Sequence, residues 1–452
     1  MRKFILYISA IFLPVLSAFG QYRGSDVYKE LYDSDVVSVM RTHVAELSAA
    51  SLEGRKAGSE GERVAAEYVA DMFKKYGVDL LSPKEGELFG IKSEAGDTLT
   101  SRNIIGYVQG YDKDLRNKYI VVGARLDNLG TMTMTIDGKP VERIFYGANG
   151  NASGLAMLVE LARMVKTNSI MFRRSVLFVA FGASTQTYAG AWYFLNRSFK
   201  DAANIDAMIN LDMLGMGYNG FYAYTSSNAD LNTLIRKQEG ELQPILPELT
   251  AQEAYPSDHR AFYAKEIPSV VFTTGKYSQH NTDRDTQGLL DFETMERELE
   301  YIYNFTEALA NEDSAPDFRP AQVDGSSQAG DKTVPYFDCD QRPQFFGSSD
   351  PRHFMKEWVY QYLKYPQSAM VNGIQGTVMV QFVIDKDGSV TDVKVVKSVD
   401  EELDAEALKV IQASPKWKAG KVGGQKVRAS ITLPVEFRLE KKSGKSSFGI
   451  KK

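Results

Sequence analysis

The sequence predicts an α/β protein in which a mostly parallel β-sheet is flanked by helices and a small α+β domain follows. Short, nearly continuous apolar runs are typical of strands that are covered on both faces. Helical patterns lie between these runs, as at residues 152–165 and 292–310, and strands that alternate with helices favour a parallel sheet. Residues 313–336 are rich in Ser, Pro, Gly and Asp without an apolar period, which predicts a linker. The apolar runs are 119–123, 175–181, 207–211 and 269–272.

Residues 1–20 are predicted to be a secretory signal peptide. Arg2 and Lys3 precede the apolar run 4–16, and Ala18-Phe19-Gly20 places small residues before a cleavage position at Gln21. The run is too short for a membrane-spanning helix. The residue directly after the cleavage position is not Cys, so a bacterial lipid anchor is not indicated. We expect an exported chain without a transmembrane segment after signal cleavage.

The first domain is predicted over residues 21–312. Residues 52–77 begin with a turn and continue as an amphipathic helix, because apolar residues from Val64 to Phe73 fall at helical spacing. The predicted strands and helices follow in alternation up to residue 312.

The second domain is predicted over residues 337–440. Its predicted elements are a short helix ending at Tyr365-Pro366, a strand at 377–384, a turn at Asp385-Lys-Asp-Gly388, a strand at 389–397, a helix at 403–413 and a last strand at 427–439. The last strand contains Pro434, which cannot donate a ladder hydrogen bond. We therefore expect an edge or a bulge at that strand.

The composition argues against a nucleic-acid partner. The formal net charge is −5, and phosphate binding favours a clustered basic face. Residues 441–452 hold five lysines and are predicted to be a solvated basic tail. Cys339 is the single cysteine, which excludes an intramolecular disulfide. It is expected to be buried as a small apolar residue, and pairing between chains is the alternative.

Polar segments follow the predicted buried strands of the first domain. They read Gly-Ala-Arg125-Leu-Asp127-Asn-Leu-Gly, Gly147-Ala-Asn-Gly150-Asn151-Ala-Ser153-Gly, Phe-Gly-Ala-Ser184-Thr185-Gln, Asn210-Leu-Asp212-Met-Leu-Gly, Pro256-Ser-Asp258-His259 and Gln279-His280-Asn-Thr-Asp-Arg-Asp285-Thr. Through these segments, and through Leu52-Glu-Gly-Arg-Lys-Ala-Gly-Ser-Glu-Gly before them, the chain resembles the two-zinc aminopeptidase superfamily that also includes glutaminyl cyclases. The resemblance covers about residues 45–312.

The resemblance implies a metal centre whose ligands this chain only partly keeps. Active relatives use His, a bridging Asp, Glu, Asp and His as ligands, with a further Glu as general base. Carried over by position, the resemblance places Arg125 at the first His, Gly150 at the bridging Asp, Ser184 at the base Glu and Thr185 at the metal-binding Glu. Asp212 and His280 keep the last two ligand positions. Asp127 keeps the position that orients the first His.

Two ligands are too few for a structural or catalytic zinc. Arg125 would also place a permanent positive charge where a dication should lie, and neither Ser184 nor Thr185 can act as a base near neutral pH. We therefore expect no catalytic residue and no cofactor. The alternative cofactor is zinc, held weakly by Asn149 or Asn128 or with His259 recruited.

The former pocket is expected to be lined by Arg125, Asp127, Asn149, Ser184, Asp212, His259 and His280. An unpaired buried carboxylate is costly, so Arg125 is expected within salt-bridge distance of Asp212 or Asp127. Asn151 and Ser153 are expected to act as N-cap residues of the following helix. A serine hydrolase is the weaker alternative, because no Gly-x-Ser-x-Gly elbow surrounds Ser184.

The second domain resembles the C-terminal domain of TonB. The segments that carry the resemblance are Tyr365-Pro366, Gly373-Ile-Gln-Gly376-Thr-Val-Met-Val-Gln-Phe382, Asp387-Gly388-Ser-Val390, Leu403-Asp-Ala-Glu-Ala407-Leu, Pro415-Lys-Trp417-Lys-Ala-Gly420 and Leu433-Pro434-Val-Glu-Phe437. The resemblance implies a small antiparallel sheet with two helices that binds extended peptides at a sheet edge. A purely structural or adaptor module is the alternative.

Together these observations predict an exported, catalytically inactive peptidase-like protein of the periplasm or the wider Gram-negative cell envelope. The expected partners are a peptide or protein chain end in the former cleft and an envelope protein at the C-terminal domain. The enzyme alternative is an active zinc-dependent aminopeptidase with unorthodox ligands.

Overall fold

A computed structural model describes residues 34–93, 95–136, 139–226, 228–250, 255–319, 333–441 and 448–450. The predicted signal peptide lies outside these residues, as do most of the predicted basic tail and the central part of the predicted linker. Among the described residues no helix is long and apolar enough to cross a membrane.

The N-terminal part alternates strands and helices as the sequence predicts. Its helices are α1 Asp35–Leu47, α2 Glu60–Lys75, α3 Ser153–Thr167, α4 Ala189–Tyr193, α5 Ala229–Glu239, α6 His259–Tyr263 and α7 Phe292–Asn311. Its strands are β1 Asp79–Leu80, β2 Glu87–Lys92, β3 Thr98–Val108, β4 Tyr119–Arg125, β5 Gly130–Ile136, β6 Lys139–Phe145, β7 Ser175–Phe181, β8 Ile205–Leu211, β9 Tyr222–Tyr224, β10 Glu248–Thr250 and β11 Ser269–Thr273. Strands β5 and β6 form a separate hairpin.

The large sheet is parallel at its centre and mixed towards its flanks, where β10 pairs with β9 in the parallel sense. Its order is β1-β3-β7-β4-β8-β11-β9-β10, with β2 paired to β3. The pairings among β7, β4, β8 and β11 are parallel, whereas β3 pairs with β7, and β9 with β11, in the antiparallel sense. The parallel centre is the part that the continuous apolar runs predicted, since every residue of β7 is buried.

Helices cover both faces of the large sheet. On one face, α1, α2, α3 and α7 pack over strand residues such as Val122 and Phe178. On the other face, Phe194, after α4, and Phe262 of α6 pack over Val121 and Leu177. The predicted fold class, a sheet flanked by helices, is therefore confirmed.

The helix predicted within residues 52–77 is present as α2, and Val69 and Phe73 of its predicted face are buried, whereas Val64 is not. Ser59 caps it by accepting a hydrogen bond from the Glu62 amide at 3.2 Å. Val64 is 37% exposed, whereas Ala65 and Ala66 are buried. Two adjacent small residues let the helix lie close to the sheet, and periodicity of large apolar residues does not report such a face.

The C-terminal part is a small α+β unit. Its elements are β12 Thr333–Pro335, a helical run α8 over residues 351–362, α9 Gln367–Val371, β13 Gly376–Ile384, β14 Val390–Lys397, α10 Glu401–Gln412, the short hairpin β15 Lys421–Val422 and β16 Gln425–Lys426, β17 Arg428–Phe437, β18 Leu439–Lys441 and β19 Phe448–Ile450. Its sheet has the order β12-β17-β13-β14. Strand β12 lies within the stretch that the sequence predicted as a linker, so the sheet extends into that stretch.

One face of the small sheet packs against helices and the other against the N-terminal part. Phe382, Leu403 and Trp417 belong to the helix-covered core. From the opposite face, Met379 packs with Met213, Met216, Tyr277 and Leu289. A hydrogen bond from Gln381 Nε2 to the carbonyl oxygen of Tyr218 at 2.8 Å joins the two parts. The C-terminal part is thus docked on its neighbour through buried apolar residues.

Candidate functional site

The predicted site residues lie at the carboxyl edge of the parallel strands. Arg125 ends β4, Ser184 and Thr185 follow β7, and Asp212 directly follows β8. In open α/β sheets this edge is where ligand sites form. The loop after β11 adds His280 at the same edge.

Arg125 and Asp212 form an ion pair in the centre of the site. Arg125 Nη2 lies 3.5 Å from Asp212 Oδ1, and the two side chains are 16% and 4% exposed. Burial opposes the charge of Arg125, but the carboxylates of Asp212 and Asp127 outweigh it and raise the pKa of the guanidinium. The pairing that charge balance predicted is present.

The second oxygen of Asp212 is held by a short chain of hydrogen bonds. Ser257 Oγ donates to Asp212 Oδ2 at 2.6 Å, and Asn210 Nδ2 donates to Ser257 Oγ at 3.2 Å. Asp212 is therefore engaged on both oxygens by groups of this chain. The resemblance did not indicate a role for Ser257.

Asp285 holds the turn that contains Gly150. It accepts hydrogen bonds from the amides of Asn149 at 2.9 Å and Gly150 at 3.0 Å and from the Tyr277 hydroxyl at 2.7 Å. Burial raises its pKa to about 6 against the effect of these bonds. Asp285 stands in the predicted His280 segment, but spacing alone did not reveal that it would bind this turn.

The space beside Gly150 is limited by the Asp285 carboxylate and, at a longer distance, is bordered by the Arg125 guanidinium. A Cβ atom on Gly150 would lie 3.2 Å from Asp285 Oδ2 and 3.8 Å from Arg125 Nη2. Arg125 thus approaches the position from which, by the resemblance, a bridging carboxylate would extend.

Asp127 organises the turn that follows β7. It accepts hydrogen bonds from the Ser184 amide at 2.7 Å, the Thr185 amide at 3.1 Å and the Thr185 hydroxyl. Burial raises the pKa of Asp127, which these hydrogen bonds and the charge of Arg125 oppose. Asp127 here fixes a loop.

Asp258 is a fully buried carboxyl group next to Ser184. The Ser184 hydroxyl donates to Asp258 Oδ1 at 2.7 Å, while Asp258 Oδ2 has no hydrogen-bond partner among the described residues. Burial raises the pKa of Asp258 to about 8, and the charges of Asp127 and Asp212 act in the same direction. Asp258 is therefore protonated at neutral pH.

Both histidines of the predicted pocket are neutral. His259 is 2% exposed, and neither ring nitrogen has a partner within the described part of the chain. Burial lowers its pKa to about 3. His280 packs edge-on against Tyr277, and burial together with the charge of Arg125 lowers its pKa to about 3 as well.

The expected N-cap roles are found for only one of two residues. Asn151 Oδ1 accepts a hydrogen bond from the Gly154 amide at 3.2 Å, as a cap does. Ser153 instead donates to Asn149 Oδ1 at 2.9 Å. The expected capping by Ser153 was wrong, because the residue already lies inside helix α3.

The arrangement does not fit zinc. Across the described residues, no group of three or more His, Cys, Asp or Glu side chains is placed to hold a metal ion. Asp212 is committed to Arg125 and Ser257, and the guanidinium points to the side of the site where a bridging ligand would be. The side chains present are suited to binding polar groups through hydrogen bonds.

Arg55 is a site residue whose role the sequence did not indicate. Its guanidinium is fully buried and donates to the carbonyl oxygens of Leu126 at 3.2 Å, Tyr146 at 3.0 Å, Gly147 at 3.1 Å and Leu47. Arg55 thereby connects the segment after β4 with the turn before Gly150. In the sequence, Arg55 stood out only as part of the Leu52-Glu-Gly-Arg55 segment, and that segment did not indicate what Arg55 binds.

Two family models match the chain. The model described as "Peptidase family M28" matches residues 103–306, and that described as "Gram-negative bacterial TonB protein C-terminal" matches residues 361–439.

Curated relatives match each part separately. Aminopeptidase YwaD of Bacillus subtilis is 27% identical over 212 residues, which cover 46% of this chain and 42% of the relative. Protein TonB of Xanthomonas campestris pv. campestris is 40% identical over 79 residues, which cover 17% of this chain and 34% of the relative. The chain thus spans less than half the length of these relatives.

Solved structures also resemble the N-terminal part. An aminopeptidase from Aneurinibacillus sp. strain AM-1 has a TM-score of 0.47 at 17% identity and covers 64% of this chain and 96% of its own. Glutaminyl cyclase from Bacteroides thetaiotaomicron has a TM-score of 0.48 at 19% identity. The match covers 61% of this chain and 98% of the cyclase chain. By these family matches, the chain contains a region similar to peptidase family M28 followed by a region similar to the TonB C-terminal domain.

Proposed function

We propose that this protein is an exported, catalytically inactive M28-like protein that acts as a binding or adaptor component of the cell envelope. The observation that carries the proposal is the ion pair between Arg125 and Asp212, two positions at which the resemblance would place metal ligands. Gly150 contributes no ligand atom, and Ser184 and Thr185 are bound to carboxylates of the chain.

The adaptor role is supported by the TonB C-terminal domain, whose family is described as Gram-negative bacterial. The former cleft would receive a peptide or a protein chain end, since Arg125 and the buried polar groups around it offer hydrogen bonds. The C-terminal domain would contact an envelope protein. The predicted signal peptide supports export to the periplasm.

Metal content and peptidase activity test the proposal. Purified mature protein is expected to contain no stoichiometric zinc and to leave aminoacyl-nitroanilide substrates uncleaved. One or two zinc ions per chain, with activity that a chelator abolishes, would instead establish a zinc aminopeptidase with unorthodox ligands. The match to Aminopeptidase YwaD makes this the alternative to test.

A restored variant serves as the positive control. The variant carries Arg125→His, Gly150→Asp, Ser184→Glu and Thr185→Glu together, and we expect it to gain zinc binding. Arg125→His alone is the matched control and should not, because it restores one of the three lost ligand positions and leaves Gly150, the bridging position, without a ligand atom. Recovery of activity is not expected, because catalysis needs ligand positions correct to within about 0.5 Å.

A further inference from the structure

Strand β17 pairs with β13 along one edge, and only its first residues pair with another described strand along the opposite, outer edge. Residues 429–437 pair in an unbroken antiparallel register with residues 384–376 of β13. The Glu436 amide donates to the Tyr360 hydroxyl at 3.4 Å, so the backbone of Glu436 faces away from β13. Because backbone groups alternate along a strand, the other even-numbered residues of β17 face the same way. Pro434 is one of them, so its missing N–H does not interrupt the pairing with β13.

Part of this outer edge is occupied by the chain itself. Strand β12 runs parallel to β17, with Val334 opposite Ala429 and its two neighbours opposite Arg428 and Ser430. In a parallel ladder this register directs the N–H and C=O of Val334 towards β17. The Val334 side chain packs against a small apolar cluster of Cys339, Val427 and Ala429.

The other side of β12 faces the M28 domain. Thr333, Val334 and Pro335 line a cavity of ≈ 60 Å³ together with residues of β9 and β10. Beside it, the Tyr224 hydroxyl donates to Asp338 Oδ2 at 2.9 Å. Strand β12 therefore lies half-buried between the M28 domain and β17, and its position is tied to the docking of the two domains.

We infer that Thr333–Pro335 is an internal occupant of the edge to which an extended partner segment would add, so that such a partner must displace β12 from β17. This inference rests on the proposed adaptor function, in which the C-terminal domain binds an extended segment. The partner that fits is a strand running parallel to β17 with a small branched apolar side chain at the Val334 position. Displacement replaces the three residue pairs between β12 and β17 with pairs between the partner and β17. It also releases the contact between β12 and the M28 domain.

A peptide with the sequence of residues 331–337 tests the inference, because it contains the segment that the edge already holds. Val334→Pro removes the N–H that faces β17, whereas Thr333→Pro, the matched control, removes one that faces away. A tethered segment competes at an effective concentration on the order of millimolar, so releasing it should expose the edge. We expect the full-length Val334→Pro variant to bind the labelled peptide at least about tenfold more tightly than the wild type or Thr333→Pro. Equal affinity for all three proteins, or no binding to any of them, would overturn the inference.

A disulfide lock gives an answer even where Val334→Pro does not fold. Thr333→Cys with Arg428→Cys joins a directly opposite pair of the two strands, and Cys339→Ala removes the native thiol. The oxidised protein should not bind the peptide, and reduction should restore binding to the level of the unlocked protein. Equal binding by both forms would contradict displacement. If peptide 331–337 binds Val334→Pro but no envelope-protein peptide does, the adaptor function fails and the occupied edge stands.

Discussion

At the residue scale, the centre of the former cleft is defined by charges that satisfy one another. Arg125 lies between Asp212 and the turn at Gly150, and Asp285 binds the amides of that turn. Buried carboxylates need hydrogen bonds or counter-charges, and here both come from the chain. Arg125, Asp212 and Asp285 are thus paired or hydrogen-bonded by the chain, whereas Asp258 Oδ2 and both ring nitrogens of His259 have no partner among the described residues.

Asp258 leads to a prediction about pH. Its folded-state pKa of about 8 lies above the ordinary value of about 4, so the folded protein binds a proton that the unfolded chain releases in this window. Stability from this group is present below about pH 4 and falls as the pH rises towards 8, by up to about 1.4 kcal/mol per pH unit. Asp258→Asn keeps a neutral side chain, so its free energy of unfolding relative to the wild type should improve from about pH 5 to about pH 8.

Urea unfolding at the two pH values measures this difference. Asp97→Asn, which changes an exposed carboxylate, is the control and should give a difference that does not vary with pH. A constant difference for Asp258→Asn as well would mean that Asp258 is ionised in the folded protein.

At the element scale, the site depends on how β4, the β5–β6 hairpin and the turn before α3 are joined. Arg55 binds carbonyl oxygens directly after β4, in the link between β6 and α3, and at the end of α1. A planar guanidinium reaches several acceptors at once, which an ammonium group cannot do.

Arg55→Lys is therefore expected to destabilise the protein by about 2–4 kcal/mol, because buried carbonyl oxygens lose charged donors. The free energy of unfolding from urea denaturation measures the effect. Arg63→Lys, on the exposed side of α2, is the matched control and should change it by less than about 0.5 kcal/mol. A similarly small effect at Arg55 would show that water replaces its hydrogen bonds.

At the scale of the whole molecule, the two domains share a buried apolar contact close to the site. Met379 of the small sheet belongs to the buried apolar cluster that contains Tyr277, whose hydroxyl donates to Asp285. The C-terminal domain therefore forms part of the outer support of the former cleft.

Met379→Glu tests this contact, because it places a charge in a buried apolar cluster. We expect it to lower the stability of the docked arrangement by about 2–4 kcal/mol and to separate the unfolding of the two domains in calorimetry. Met132→Glu, at a position 51% exposed on the β5–β6 hairpin, is the control and should leave the unfolding profile unchanged. If the unfolding profile of Met379→Glu coincides with that of the wild type, the domains are not coupled through Met379.

The sequence by itself determined the central strands and the main helices, because continuous apolar runs and helical periodicity are local properties, whereas the candidate site positions were implied by the resemblance to the two-zinc aminopeptidase superfamily. The pairing of Arg125 with Asp212 also followed from charge balance between residues at known motif positions. Only the tertiary structure decided that Asp285 binds the Gly150 turn, that Arg55 joins four carbonyl groups and that β12 occupies the edge of β17. These contacts join segments far apart in the chain, and nothing in local composition specifies which distant backbone groups a buried polar side chain or a short strand will meet.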